Sequence, residues 1–129
     1  MTENEISKIV VDRALKIHRR LGPGLLESVY EAVFAYELRL AGLAVECQKP
    51  MSVNYETVVL NLGFRADLVI DNKVILELKS IEQIALVHKK QLNTYLRITG
   101  LKLGLLINFG GALLRNNVFR VVNGLDDSS

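Results

Sequence analysis

The sequence predicts an α/β sandwich around a mixed sheet, and three patterns predict it. Apolar residues near the N-terminus recur at helical spacing. In the middle of the chain, alternate residues are apolar over 64–70 and 74–78, as in half-buried strands. After a further amphipathic segment comes LKLGLLINF, Leu101 to Phe109, a near-continuous apolar run of the kind buried on both faces of a sheet. Helix, helix, antiparallel strands, helix and strand, in that order, make layers packed on both sides of one sheet.

The elements follow in turn. From about Glu5 to Leu21, Ile6, Ile9, Val10, Ala14, Ile17 and Leu21 form an apolar helical stripe, and Gly22-Pro23-Gly24 stops the helix. A second helix runs from about Leu25 to Ala41. Glu27 lies in its first turn, where the helix dipole favours an acid, and Gly42 is its stop. Ala44 to Asn61 reads as two strands, VECQKPMSV and TVVLNL, with a turn around Asn54 to Glu56. A hairpin over 64–79 follows, then a connection over 80–86 and a helix from about Val87 to Thr99, closed by Gly100. After Leu101–Phe109, a turn at Gly110-Gly111 leads to a last strand, Val118–Val122.

Composition sets limits. A chain of 129 residues is one domain, read here as 1–125 with a frayed polar tail at 126–129. It can bury roughly two-thirds of its unfolded surface, enough for a real core. The formal charge of +2 permits nucleic-acid binding without arguing for it. Cys47 is alone, which suits a reducing cytoplasm and excludes an intrachain disulfide. The polar, acidic start MTENEIS is unlike a signal peptide, and Leu103–Phe109 is too short to span a membrane. No zinc, helix-turn-helix or aromatic-rich basic pattern is present, so sequence-specific or stacking recognition is not expected.

The densest chemistry lies in FRADLVIDNKVILELK, Phe64 to Lys79. Glu77 and Lys79 share one strand face. If Phe64, Ala66, Leu68 and Ile70 form one apolar row and Val74, Leu76 and Leu78 another in the same core, Ile70 must pair with Val74. That register sets Asp67 opposite Glu77 and Arg65 opposite Lys79. A two-residue turn at Asp71-Asn72 would split both faces and is rejected unless a bulge restores the phase. Two opposed carboxylates destabilise a sheet, and a divalent cation between them removes the repulsion. For so short and common a pattern taken alone, a solvated polar face with an ordinary Glu–Lys pair is the better explanation.

Two further groupings stand beside it. Gln91 and Tyr95 are four apart on one helical face, with His88 a turn earlier, which also fits a polar surface or a capping role. In GLLESVY, Glu27 and Tyr30 are three apart, although Glu27 alone is explained by the helix dipole. His18 has no evident partner. Lys89, Lys90 and Arg97 fit a solvated helix face, whereas Arg65 is expected on the site face.

Gly24, Glu27 and Tyr30 in GPGLLESVYE, with FRADLVIDNKVILELKS and LGLLINFG, resemble the bacterial GxxExxY family, placed in the PD-(D/E)XK nuclease superfamily. The resemblance covers nearly the whole chain. One departure is Ala66, where the pattern usually has Pro. The QxxxY helix is similar to that of the RecB-like and phage-exonuclease branch. The resemblance implies a restriction-endonuclease-like core, a mixed β-sheet flanked by helices, and a metal-dependent nuclease acting on nucleic acid, DNA first. Asp67 and Glu77 would bind Mg²⁺ or Mn²⁺, with the Leu78 carbonyl as a further ligand and Glu27 adding a carboxylate. Lys79 would hold the attacking water or stabilise the transition state. Gln91 would orient water, and Tyr95, Tyr30 and Arg65 would touch substrate. The alternatives are a non-catalytic binding or assembly module on the same fold, and a defence component active only with a partner chain. An oligomer is expected from the exposed edge of a small sheet.

Overall fold

The computed structural model describes residues 1–126, with the side chains of Leu62 and Gly63 outside that description; of the expected tail, 127–129 lie outside it too. Helix α1 spans Glu3–Leu21. Its start is a capping box: the Thr2 hydroxyl accepts from the Glu5 N–H at 3.2 Å, and the Glu5 carboxylate accepts from the Thr2 N–H at 2.9 Å. Hydrogen bonds from Thr2 to the carboxylate, its backbone N–H first, hold the Glu5 carboxyl below its ordinary range. Helix α2 is Glu27–Leu40. Strands β1 (Val45–Tyr55), β2 (Val58–Ile70) and β3 (Val74–Lys79) precede α3 (Leu86–Thr99). Strand β4 (Leu103–Asn108), a short 3₁₀ turn (Leu114–Asn116) and β5 (Val118–Val122) complete the described chain.

The five strands lie in the order β1-β2-β3-β4-β5. All neighbours are antiparallel except β3 and β4, which are parallel and joined through α3. The sheet is therefore mixed, as expected. Alternation along β3 and β4 feeds two cores. Val74, Leu76, Leu78, Leu103, Leu105 and Ile107 pack with Ile6, Val10, Phe34 and Leu38 of α1 and α2. Ile75 and Leu106 point the other way and pack with Leu92 and Leu96 of α3.

Two expectations change. TVVLNL and the hairpin strand after it are not separate: both belong to β2. Strand β1 is long enough to pair from Tyr55↔Val58 to Val45↔Ile70, absorbing a register shift between Met51 and Val53. The second change concerns the apolar row. The Ile70↔Val74 register is as expected, but the β2–β3 ladder ends at Leu68↔Leu76. Leu68 and Ile70 enter the core under α1 and α2, whereas Ala66 belongs to the core under α3, with Phe64 packed against it. The phase thus reverses around Asp67. The Asp67 carboxylate takes the Leu78 N–H at 2.9 Å, replacing a backbone partner. On the other side the β1–β2 ladder skips Gln48, whose φ of +50° is left-handed. Neither Asp67–Glu77 nor Arg65–Lys79 is a ladder pair, because the strands part at this point.

A buried amide fixes the far ends of β3 and β4. Asn108 is fully buried. Its Oδ1 accepts from the N–H groups of Ile81 and Gly110, both at 3.0 Å. Its Nδ2 donates to the Ile81 carbonyl at 2.9 Å and the Asn117 side chain at 3.2 Å. The segment leaving β3 is thereby clamped to the end of β4. Gly110 is required here, since a Cβ would lie 2.2 Å from the Ile81 carbonyl oxygen.

Candidate active site

The parting of β2 from β3 opens a cleft of ≈ 380 Å³ lined by Glu27, Ser28, Glu31, Gln48, Asp67 and Leu78. Asp67 is held on two sides: Oδ2 accepts from Leu78, and Oδ1 accepts from Gln48 Nε2 at 3.3 Å. The same Gln48 nitrogen donates to Glu31 at 2.5 Å, so one amide ties α2 to β2 across the cleft. Glu31 lies one helical turn after Glu27, on the same face of α2.

Glu77 is the site's electrostatic anomaly. Its Oε1 is buried with no hydrogen-bond partner among the described residues. Burial, and then the negative charge of Asp67, push its carboxyl from 4.5 up to about 8; Lys79 pulls the other way. A buried polar atom without a partner is rare and calls for an explanation. Tyr95 faces the same charges. Burial first, then Glu77 and Asp67, raise its hydroxyl above the ordinary value, while a hydrogen bond with Gln91 opposes them. The Tyr95 ring stacks on Phe64 with centroids 3.6 Å apart and planes 7° from parallel. Asp67, Glu77, Lys79, Gln91 and Tyr95 are therefore brought into one neighbourhood.

Other expected residues are placed differently. Tyr30 cannot contact substrate, because it is fully buried. Its ring stacks on Phe109 at 4.4 Å, and its hydroxyl donates to the Gly22 carbonyl and accepts from the Leu25 N–H at 3.2 Å. It shapes the loop before α2, in which Gly24 takes a φ of +101° that favours glycine. Ser80, next after Lys79, donates to the Leu25 carbonyl at 2.6 Å and fastens that loop to the end of β3. Glu27 follows the loop, exposed, at the cleft. Arg65 is exposed, donates to the Gln48 carbonyl at 3.3 Å, and is not a ladder partner of Lys79.

The histidines are structural. His88 Nδ1 accepts from the Ala85 N–H at 3.0 Å at the start of α3, the capping role. His18 is buried, and its Nε2 lies 2.9 Å from the Gly111 carbonyl. Lys89 is committed to the Phe119 ring at 4.1 Å, whereas Lys90 and Arg97 are exposed.

Among the described residues, no three His, Cys, Asp or Glu side chains already converge closely enough to hold a metal ion. The donor set nevertheless fits a hard divalent cation. It is all oxygen, and it includes the partnerless Glu77 Oε1 beside a second carboxylate.

A family model described as the PD-(D/E)XK nuclease superfamily matches residues 4–121. The chain belongs to the PD-(D/E)XK nuclease superfamily. The mixed sheet between α1–α2 and α3 agrees with the core expected of this superfamily. Among solved structures, the crystal structure of SSO0001 is similar at 20% identity and a TM-score of 0.44, over 95% of this chain and 68% of that one. A search of curated proteins finds no significant match.

The sequence reading missed Glu31, Gln48, Ser80 and Asn108. Glu31 was accessible from its i+4 spacing to Glu27. The left-handed turn of Gln48 and the clamp made by Asn108 carry no local signal.

Proposed function

We propose that this PD-(D/E)XK chain is a Mg²⁺- or Mn²⁺-dependent nuclease of the GxxExxY type that hydrolyses phosphodiester bonds, with DNA as its substrate. One observation carries the reading: a buried carboxylate oxygen of Glu77 without a partner, next to Asp67 and Lys79. Asp67, Glu77 and the Leu78 carbonyl would hold the cation, with Glu27 adding a carboxylate from α2. When bound, such an ion supplies Lewis acidity and a water of lowered pKa.

The chain's own groups do the rest. The Leu78 N–H bond keeps Asp67 turned into the cleft. Lys79 places a positive charge where negative charge grows on the phosphate oxygens. Gln91 orients the water and holds the Tyr95 hydroxyl, which meets a flanking phosphate, and Arg65 meets another. The Tyr30–Gly22–Leu25 bonds set the approach of Glu27. A dimer in the cytoplasm is part of the proposal. It is supported by the edge position of β1 and by the exposed, unpaired Cys47, which suits a reducing compartment. Among the described residues no helix is long and apolar enough to cross a membrane.

The test is cleavage of labelled single- and double-stranded DNA and RNA with Mn²⁺, for wild type, Lys79→Ala and Glu77→Ala. Cleavage by wild type that falls by about 10² or more in both variants is expected. Equal cleavage by all three assigns the activity elsewhere.

A further inference from the structure

A second concavity of ≈ 380 Å³ lies between the end of α1 and the segment after β4. Leu15, Leu113 and Leu114 give it an apolar lining, and His18, Arg19 and Arg115 line it as well. Both arginines are exposed, no carboxylate lines the concavity, and neither guanidinium has an ion-pair or hydrogen-bond partner among the described residues. Arg19 alone would be explained by the dipole at a helix C-terminus. Arg115 comes from a separate element, so the dipole does not explain why two cations converge on one hollow.

This hollow is mechanically joined to the carboxylate cleft. His18, next to Arg19, is bonded to Gly111. The neighbouring Gly110 N–H is held by Asn108, which also holds Ile81. Ser80, next to Ile81, holds Leu25, two residues before Glu27. Both concavities are thus fastened to the C-terminal ends of β3 and β4. Guanidinium groups present planar donors that match phosphate oxygens, and an apolar lining suits a sugar edge.

We propose that Arg19 and Arg115 form a second phosphate-binding subsite, which grips the same nucleic-acid strand away from the bond to be cut. The proposal rests on the nuclease reading for the identity of the ligand. An acidic peptide is the rival ligand, but it would leave the link to the cleft without a purpose.

The experiment is fluorescence anisotropy of a labelled oligonucleotide at several salt concentrations, with EDTA present so that binding is read apart from cleavage. Each phosphate contact contributes about 0.7–0.9 to the slope of log affinity against log salt. The double variant Arg19→Ala/Arg115→Ala is expected to lose about 1.4–1.8 of the wild-type slope. Arg19→Lys/Arg115→Lys is expected to keep it, because lysine still neutralises phosphate. Both arginines are exposed, and unchanged melting of the variants confirms that they fold. An unchanged slope in the alanine variant overturns the subsite, as does a wild type that binds no oligonucleotide. Binding of a polyglutamate peptide that outcompetes the oligonucleotide and needs the same arginines also overturns it. A reduced slope together with a wild type that never cuts with Mn²⁺ would keep the subsite and refute the nuclease.

Discussion

Replacing Glu77 with glutamine should make the protein more stable in alkali than the wild type, and the gain should grow with pH. The native Glu77 carboxyl keeps its proton up to about 8, while in the unfolded chain it releases it near 4.5. Between those values the unfolded state binds fewer protons, so rising pH favours unfolding. Whatever stability the protonated form gives is whole below pH 4.5 and gone above about 8. Each pH unit crossed in that window costs about 1.4 kcal/mol, which bounds the loss at about 5 kcal/mol. Water entering the cleft screens part of this, leaving about 2–5 kcal/mol. Glutamine keeps the size and cannot ionise, so Glu77→Gln removes this dependence. The assay is urea unfolding of both proteins at pH 5, 6.5 and 8 with EDTA. From pH 5 to pH 8 the free-energy difference between them should move by about 2–4 kcal/mol in favour of the variant. Adding Mn²⁺ at pH 8 should then stabilise the wild type and leave the variant unchanged, since a ligand stabilises only the state it binds. A difference between the two proteins that does not change with pH would mean that the folded chain does not hold the Glu77 proton.

Other outcomes follow from the clamps around the site. Tyr30→Phe removes the hydroxyl from Gly22 and Leu25 but keeps the stack on Phe109. It should cost about 1–3 kcal/mol in urea unfolding and weaken Mn²⁺ binding through a displaced Glu27; unchanged metal affinity would separate that loop from the site. Asn108→Ala strips partners from Ile81 and Gly110 and should cost roughly 2–4 kcal/mol, read from the urea midpoint. A loss below about 1 kcal/mol would mean that water replaces the clamp.

Much of this architecture is readable before any coordinates. The stripe from Ile6 to Ile17 is strongly periodic and the run through Leu103 to Ile107 is almost unbroken, and both fall where expected. The Ile70–Val74 register was legible because a slip would expose a whole apolar row. Extending that register past Leu68 presumes an unbroken ladder, and the pairing of β2 with β3 ends at Leu68, next to Asp67. There a side chain replaces a ladder bond with Leu78, and the faces exchange between Ala66 and Leu68. Alternation in sequence cannot register a carboxylate that substitutes for backbone. Tyr30 was misread for a related reason: its spacing to Glu27 suits a shared surface, but its ring is drawn into the core by Phe109, which itself packs edge-on against Phe34. Motif residues can serve a site by holding its backbone, and spacing alone does not separate the two roles.

Everything proposed for the cleft depends on Glu77 and Asp67 awaiting a cation. Calorimetric titration of Mn²⁺ and Mg²⁺ into wild type and Glu77→Ala examines this without assuming a substrate. The wild type should bind with release of a proton from Glu77, and the variant should not bind. A folded wild type that takes up neither ion at millimolar concentration would show that these carboxylates are not a metal site.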